Sequence, residues 1–489
     1  MDLDQLLQYQ WNAMLPEFII LGVAVLLSVL DLFWKKQKPS VIGWLGFIGI
    51  IAATISLITL FPKENVSILY DTFVLDHFAK VFKLLLLIAT AIVFLFAIGY
   101  RSEDSAFPYS EFYYLFLTAL LGAMMMSSSA DLITLFVGLE LLSISSYILV
   151  GLRKKNVRSN EAAMKYVING GIASAITLFG LSYVYGLSGS TKLGEIAYQF
   201  SLSQTEEVQY LLGISFLLVF IGLSFKIATV PFHMWVPDVY EGAPIPVTSF
   251  LSVVSKSAGF IILIRMILSI FGQASLNNEN SVLEGFQTFL IILTMLTMIV
   301  GNAVALKQQN VKRMLAYSSI AHAGFILASF VSFSPYFYLD AIWFYLIAYT
   351  FMNVGAFAVI YYVKEKTGSE HISSFAGLYH DSPVLAISMT IFLLSLAGIP
   401  GTAGFIAKFN IFLSTLSINP PLWILAITMI VTTIVSYVYY FGVLVQIYFR
   451  QTENVKKTTI HYTTYIVIGL CIIGTILLGV FPNIALDFL

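Results

Sequence analysis

Four ionisable residues lie in apolar stretches, where membrane and soluble proteins alike rarely place a charge. Glu140 is near the middle of the apolar stretch 131–151, and Lys226, Lys256 and Lys408 each lie in an apolar stretch of their own. A charge in mid-membrane costs roughly 2.5–3.5 kcal/mol even on the most lenient scale, so such residues usually line a polar cavity and pair with another group. We interpret Glu140 and Lys226 as a pair that opens and closes to transfer a proton. The alternative for Glu140 is a structural ion pair that locks two helices together.

Prolines beside two of these lysines predict interrupted membrane helices. Lys226 lies five residues before Pro231, and Lys408 lies eight residues after Pro400, which has glycines on both sides within two residues. Proline removes a backbone donor and clashes with the preceding turn, and irregular backbone within a membrane is tolerated where it lines a cavity. Corresponding interruptions in two halves are typical of an internal repeat. The halves differ in chemistry, because the second half has no acid at the position of Glu140.

Two histidines and two serines extend this predicted series. His233 follows the break at Pro231, and His322 lies in mid-membrane, where it could bridge the two lysine regions. Imidazole changes its charge near neutral pH, which suits a proton relay, although a hydrogen-bonded packing histidine is the alternative for His233. Ser255 and Ser257 flank Lys256 and are expected to solvate it.

Four other charges in apolar stretches have a simpler interpretation. They are Lys80, Lys83, Lys165 and Arg265. Long basic side chains near helix ends reach the membrane interface, and we expect these four to do so.

Membrane-spanning helices must carry these residues. Of the 489 residues, 59% are hydrophobic and 10% are charged, whereas a soluble domain has about 25% charged residues. Apolar runs of about 20 residues, each long enough to cross the membrane, recur along the whole chain. The sequence predicts an all-α, polytopic membrane protein of about fourteen transmembrane helices, with two inverted five-helix repeats (helices 4–8 and 9–13) that each contain a broken helix. The predicted divisions are an N-terminal three-helix segment at 1–110, repeats at 111–272 and 273–449, and a C-terminal helix at 450–489.

Composition and motifs argue against several other classes of protein. The net charge of −1 gives no electrostatic basis for binding nucleic acid. The single cysteine, Cys471, is incompatible with disulfides, iron–sulfur clusters or cysteine-based zinc sites within the chain. There is no Gly-x-Gly-x-x-Gly fingerprint between a strand and a helix. We therefore predict no cofactor and no metal in this chain. The N-terminal stretch lacks a basic region and a cleavage site, so the first apolar run is expected to be a retained helix.

Basic residues predict the orientation in the membrane, because cytoplasmic loops are enriched in lysine and arginine. Sixteen fall in one set of alternate loops, and only Lys63 and Lys192 fall in the other. The sixteen are Lys35, Lys36, Lys38, Arg101, Arg153, Lys154, Lys155, Arg158, Lys307, Lys312, Arg313, Lys364, Lys366, Arg450, Lys456 and Lys457. Both termini are therefore expected on the periplasmic side.

Four sequence blocks resemble the antiporter-like membrane subunits of respiratory complex I, a family shared with multisubunit cation/proton antiporters. The blocks are 138–143, 226–238 with 241–244, 312–324, and 398–408, and they follow the family's order. Among the three antiporter-like subunits of the complex, the chain is most similar to the N type. It is too short for the lateral helix of the L type, it has Lys408 where the M type has glutamate, and its predicted helix count fits the bacterial or plastid form.

The resemblance implies roles for individual residues. Glu140 would be the helix-5 glutamate, Lys226 the helix-7 lysine that it modulates, Lys256 the helix-8 lysine and Lys408 the helix-12 lysine nearest the exit. His233 and His322 would be connecting relay groups.

The resemblance also implies a setting for the chain. It would be a subunit of a proton-translocating NADH:quinone oxidoreductase in the bacterial inner membrane, without a redox centre of its own. NAD, FMN, iron–sulfur clusters and quinone would belong to partner subunits. Its neighbours in the membrane arm would be the antiporter-like subunit M and the small subunits K and J.

Three other functions remain open from the sequence. A subunit of a sodium/proton antiporter would have nearly the same buried residues. A self-contained transporter of a small solute would need polar groups at the helix breaks and would work in isolation. A mainly structural membrane subunit would tolerate replacement of Lys226 or Glu140.

Overall fold

The structure is a helical membrane protein, as the sequence predicts. The computed structural model describes residues 9–33, 39–104, 107–202, 206–272, 275–277, 280–332, 338–451 and 459–486. Within these ranges, twelve helices are long and apolar enough to cross a membrane. The other two predicted spans correspond to a helix of 20 residues and to an interrupted pair of shorter apolar helices.

We number the spans α1 to α14 in chain order and give the halves of a broken span the letters a and b. They are α1 (Leu15–Phe33), α2 (Pro39–Leu60), α3 (His77–Gly99), α4 (Tyr109–Ser128), α5 (Leu132–Val150), α6 (Val157–Ser188), α7a (Glu206–Ile227), α7b (Trp235–Gly242), α8 (Ile245–Phe271), α9 (Gln287–Ala305), α10 (Val311–Ser332), α11 (Tyr338–Thr367), α12a (Pro383–Ala397), α12b (Ala403–Leu416), α13 (Trp423–Phe449) and α14 (Tyr462–Val480).

Short elements connect the spans. Strands β1 (Val66–Ile68) and β2 (Phe73–Leu75) form an antiparallel hairpin, and β3 (Ser275–Asn277) pairs antiparallel with β4 (Asn280–Ser281). The remaining short helices are Trp11–Met14, Leu193–Leu202, Val282–Gly285, Ile372–Phe375, Leu378–Asp381 and Asn483–Leu486.

Burial distinguishes central helices from peripheral ones. Nearly every side chain of α3, α8, α10 and α11 is buried, so these four helices form the core of the bundle. Peripheral helices expose large apolar side chains, such as Val25 on α1, Ile172 on α6, Ile434 on α13 and Ile473 on α14. An apolar outer surface is what a helix bundle presents to lipid. Lys83, Lys256 and His322, which lie on the core helices, are therefore deep within protein.

The break in α7 confirms the prediction made from Pro231. Helix α7a ends at Ile227, Ala228 has a left-handed φ of +64°, and α7b begins at Trp235. The freed backbone groups find side-chain partners: Val230 N–H donates to Thr297 Oγ1 of α9 (3.1 Å), and Trp235 Nε1 donates to Phe225 O (3.0 Å). Such substitutes are required because an unpaired backbone group in a membrane costs several kcal/mol.

The break in α12 also confirms its prediction. Helix α12a ends at Ala397, and Gly398 and Gly401 adopt left-handed φ angles of +86° and +88°. Gly404 N–H, at the start of α12b, donates to Ser395 Oγ (3.0 Å).

Helix α8 is continuous but irregular. It contains two π-helical turns, Leu251–Ser255 and Ile267–Phe271, and the first lies directly before Lys256. Turns of this kind often mark functional sites in helices.

The predicted division into repeats stays a prediction. Its first boundary falls inside the first turn of α4, because that helix begins at Tyr109. Residue 273, where the second repeat was predicted to begin, lies outside the described residues.

Candidate functional site

Lys226 is buried without a hydrogen-bond partner. It lies in the last turn of α7a and is 5% exposed, and its Nζ has no hydrogen bond to any of the described residues. Nζ lies 5.8 Å from the ring centroid of Tyr147 and 5.9 Å from that of Tyr166. Aromatic faces attract a cation, but they replace only part of its hydration. The site therefore holds a lysine whose charge is only weakly stabilised.

Glu140 is held by a serine rather than by the lysine. Ser174 of α6 donates a hydrogen bond to Glu140 Oε1 at 2.5 Å. Among the described residues, no ion pair within 4.0 Å joins Glu140 to Lys226. Tyr147 lies seven residues after Glu140 on the same face of α5 and contacts the lysine. The predicted pair is therefore open in this structure.

Lys256 is fixed by helix α10. Its side chain is 3% exposed, and Nζ donates to Ser319 O at 2.6 Å and also to Ser319 Oγ. Tyr240 Oη of α7b lies 3.3 Å from the same Ser319 Oγ. Ser319, rather than the flanking Ser255 and Ser257, thus solvates this ammonium group.

His322 lies one turn beyond Ser319 on the same face of α10. Its Nδ1 is 2.5 Å from Tyr345 Oη, and its Nε2 is 3.3 Å from Tyr440 Oη. The Tyr440 hydroxyl is in turn 2.5 Å from Ser318 Oγ. The imidazole is therefore surrounded by hydroxyl groups that can exchange protons with it.

Lys408 closes the end of a half-helix. Its Nζ donates to Leu396 O (2.9 Å) and Ala397 O (3.0 Å), the last carbonyls of α12a. It also lies 4.9 Å from the ring centroid of Phe325, which follows His322 by three residues on α10. Phe325 and Lys408 both line a cavity of about 260 Å³.

The face of α10 that carries Ser319, His322 and Phe325 thus joins two of the predicted lysines. Ser319 contacts Lys256 at one end, and Phe325 contacts Lys408 at the other. The sequence interpretation had His322 alone between them. The spacing of three residues between Ser319, His322 and Phe325 was the signal that could have revealed this face.

His233 stands apart from the other predicted residues. It lies half-buried in the link between α7a and α7b, and its Nδ1 has no hydrogen-bond partner in the described part of the chain. No hydrogen bond between His233 and the other five predicted residues is present within those ranges. Within the described residues, no hydrogen bond supports the proposed relay role of His233.

The four charges expected at the interface have specific partners. Lys80 Nζ donates to Lys63 O (2.6 Å), Arg265 Nη1 and Nη2 bind Asp76 (2.5 and 3.0 Å), and Lys165 binds Asp238 and Glu161 (2.7 Å each). Lys165 is 43% exposed, in keeping with the expectation.

Lys83 departs from the expectation of an interfacial side chain. It is fully buried and forms an ion pair with Glu17 of α1. It therefore joins two helices within the protein rather than reaching water.

Sequence reasoning missed Lys312, which it assigned to a loop. The residue is the second of α10, and its side chain is fully buried. Five other lysines assigned to the same set of loops lie outside the described residues. They are Lys35, Lys36, Lys38, Lys456 and Lys457. Over the residues that are described, no group of three or more His, Cys, Asp or Glu side chains is arranged to hold a metal ion.

Comparisons with known proteins agree with this architecture. The family described as NADH:quinone oxidoreductase/Mrp antiporter, TM, matches residues 129–436. The chain is 57% identical to the NADH-quinone oxidoreductase subunit N of Anoxybacillus flavithermus (strain DSM 21510 / WK1), over 100% of this chain and 98% of that protein.

Solved structures share the fold. A chain of respiratory complex I from Thermus thermophilus matches with a TM-score of 0.80 and 29% identity, over 97% of this chain and 99% of that chain. A chain of the Mrp complex from Dietzia sp. DQ12-45-1b matches with a TM-score of 0.83 over 98% of this chain and 96% of that chain, but at 19% identity this likeness concerns the fold alone. Because the family match covers more than half of the chain and a relative of full length is 57% identical, the chain belongs to the NADH-quinone oxidoreductase subunit N family of antiporter-like membrane subunits.

Proposed function

We propose that the chain is a proton-translocating membrane subunit of an NADH-quinone oxidoreductase. In this role it couples electron transfer in partner subunits to proton movement through Glu140, Lys226, Lys256, His322 and Lys408. The observation that carries the proposal is the buried Lys226 ammonium without a hydrogen-bond partner among the described residues, beside lysines that α10 links in series. A buried charge without a partner is costly, and it is retained where function needs it.

The series suggests an order of events. Protons reach Lys226 from the side with the basic loops, through the break in α7. When Glu140 moves away, Lys226 loses electrostatic support for its charge and its proton passes to Lys256, and then by way of Ser319 to His322. The last step, from His322 to Lys408, passes Phe325, whose ring centroid lies 4.9 Å from Lys408 Nζ. Lys408 then releases the proton on the opposite side.

The setting of the chain belongs to the same proposal. The excess of basic residues in alternate loops supports periplasmic termini in a bacterial membrane. Iron–sulfur clusters are assigned to other subunits because the chain offers one cysteine, and the family membership assigns NAD, FMN and quinone to those subunits as well. The proposed neighbours are subunits M, K and J. The two repeats at 111–272 and 273–449 would each supply one broken helix.

Redox-driven proton pumping by the intact complex in membrane vesicles tests the proposal. Lys226→Ala is compared with wild type at equal assembly, with Lys192→Ala as the control, since the ion pair of Lys192 within the described residues is with the exposed Glu195 at a helix start. We expect NADH-to-quinone electron transfer and pumping to fall together in Lys226→Ala and to stay at wild-type levels in Lys192→Ala. Wild-type rates of both in Lys226→Ala would make the lysine structural and the proposal wrong.

A sodium/proton antiporter subunit is the second candidate, because the matched family includes Mrp antiporters. It would exchange sodium for protons in vesicles that lack NADH. The proposed function requires that proton movement stops when NADH is withheld.

A further inference from the structure

The half-helix α7b contacts both lysine sites of the first repeat. At its start, the Trp235 ring stacks on Tyr166 with centroids 4.4 Å apart, and Tyr166 is one of the two rings beside Lys226 Nζ. Five residues later, Tyr240 Oη lies 3.3 Å from the Ser319 hydroxyl that binds Lys256. Any displacement of α7b therefore changes the surroundings of both lysines at once.

Buried cations hold the C-terminal end of α7b. Lys312 Nζ donates to Glu241 O (3.0 Å) and Ala243 O (2.9 Å), and Arg153 Nη2 donates to Gly242 O (2.5 Å). The last carbonyls of a helix lack partners within the helix and carry partial negative charge, so cations stabilise them. Three consecutive carbonyls are satisfied in this way by residues from outside α7b.

Other cations bind the side chains of α7b at the surface. Arg313 Nη1 lies 2.7 Å from Asp238 and 2.8 Å from Glu241, and Lys165 Nζ lies 2.7 Å from Asp238. These groups are 22–43% exposed, and exposed ion pairs contribute little. Lys312 is fully buried, so its loss would leave two carbonyls without their donor.

A carboxylate balances the charge of Lys312. Glu370 Oε1 lies 3.6 Å from Lys312 Nζ and 3.0 Å from Lys364 Nζ. Burial alone would raise the pKa of Glu370, but the charges of Lys312 and Lys364 outweigh it and hold that pKa below its ordinary value. Glu370 is therefore ionised at neutral pH and compensates the buried ammonium.

We propose that Lys312 is a positioning residue for proton transfer: by binding the terminal carbonyls of α7b from α10, it fixes Trp235 beside the Lys226 site and Tyr240 beside the Lys256 site. The inference rests on the proposed function, because positioning matters only if the two lysines transfer protons. Lys312 lies in the predicted second repeat, so its hydrogen bonds also join that repeat to the broken helix of the first.

Variants of Lys312 in the intact complex test this role. Lys312→Met removes the donor, and Lys312→Arg keeps the charge and the donors. The control is Lys366→Met, because Lys366 is also a buried lysine, 7% exposed, but it pairs with Asp381 away from α7b. We expect pumping per NADH oxidised to fall about fivefold in Lys312→Met, the lower end of measured couplings between sites. Lys312→Arg should retain more than half, and Lys366→Met should match wild type.

A double-mutant cycle separates positioning from general damage. Tyr240→Phe removes the contact at the other end of α7b. If Lys312 acts through α7b, pumping in Lys312→Met/Tyr240→Phe is no lower than in whichever single variant pumps less. If the two residues act independently, the fractional losses of pumping in the single variants multiply in the double variant. Wild-type pumping in Lys312→Met, or multiplied losses in the double variant, overturns the proposal. If Lys312→Met does not assemble, Lys312→Gln takes its place in the cycle with the same two criteria.

The two proposals fail differently. Intact pumping in Lys226→Ala removes the proposed function, whatever Lys312 does. Lost pumping in Lys226→Ala with wild-type pumping in Lys312→Met leaves the function standing and removes only the positioning role.

Discussion

The two broken helices carry their lysines in opposite ways. In α7 the Lys226 ammonium has aromatic rings near it and no hydrogen-bond partner among the described residues, whereas in α12 the Lys408 ammonium binds two backbone carbonyls. Both lysines are buried to a similar extent, at 5% and 8% exposure. A break in a membrane helix therefore does not by itself define what its lysine does. In α12 the lysine is part of the structure of the break, and in α7 it is not.

The breaks also differ in what supports them. The α7 break depends on another span, because Val230 N–H donates to Thr297 of α9. The α12 break is closed by its own residues, since Ser395 accepts from Gly404 N–H and Lys408 binds the carbonyls before the break. Movement of α9 would therefore act on the α7 break, four residues beyond Lys226, while Lys408 is held within its own helix.

Replacing each lysine by methionine should reveal the largest difference between the two broken helices. Lys408→Met leaves two buried carbonyls without a donor, so we expect the free energy of unfolding to fall by about 1–3 kcal/mol. Lys226→Met removes a buried charge that has no hydrogen bond, so stability should be unchanged or raised. The measurement is thermal unfolding of the purified complex, together with pumping, which should fall in both variants. A loss of stability in Lys226→Met as large as that in Lys408→Met would show that the two sites are alike.

Gly398→Ala tests whether the backbone geometry of the α12 break holds Lys408 in place. A left-handed φ of +86° costs an alanine roughly 1–2 kcal/mol, and the new Cβ would lie 3.0 Å from Lys408 Cδ. We expect reduced thermal stability and weaker pumping through a displaced Lys408. Gly442→Ala is the control, because that helical position has open space around it and alanine favours helix. Equal stability of the two variants would contradict the strain assigned to Gly398.

Thr297→Val tests the support that α9 gives to the α7 break. The substitution removes the acceptor of Val230 N–H, and an unsatisfied buried donor costs about 1–3 kcal/mol. Thr350→Val is the control, because the hydrogen bond of the buried Thr350 hydroxyl in the described part of the chain is to Leu346 O of its own helix. We expect the melting temperature of the complex to fall in Thr297→Val and not in Thr350→Val. Should both variants melt alike, the α7 break does not depend on α9.

The helices and their breaks could be predicted from the sequence because their causes are local. A run of about 20 apolar residues is long enough to span, and Pro231 or the glycines around Pro400 interrupt a helix wherever it packs. The sequence also identified the ionisable residues that lie within apolar runs, because a charge there stands out however the helices pack.

The partners of those residues could not be read in this way. Ser319 lies 63 residues from Lys256, and the sequence suggested the adjacent serines instead. Ser174 holds Glu140 from 34 residues away, and Tyr147 and Tyr166 reach Lys226 from two other helices. These contacts arise only from how helices pack. Lys312 was misassigned for the same reason, because a lysine near a helix end is usually exposed and here the end of α7b covers it.

Because of the π-helical turn before Lys256, the number of residues in α8 determines the direction in which Lys256 points. Each residue of an α-helix turns the chain by about 100°, and a π turn accommodates one residue more than an α turn does. Deleting a single residue from Leu251–Ser255 would relax this turn and rotate the earlier part of α8 relative to Lys256 by about that angle. The helical phase that points Lys256 at Ser319 is thus set by residue number as well as by residue type. Variation among relatives in this turn should therefore take the form of substitution and never of a one-residue deletion.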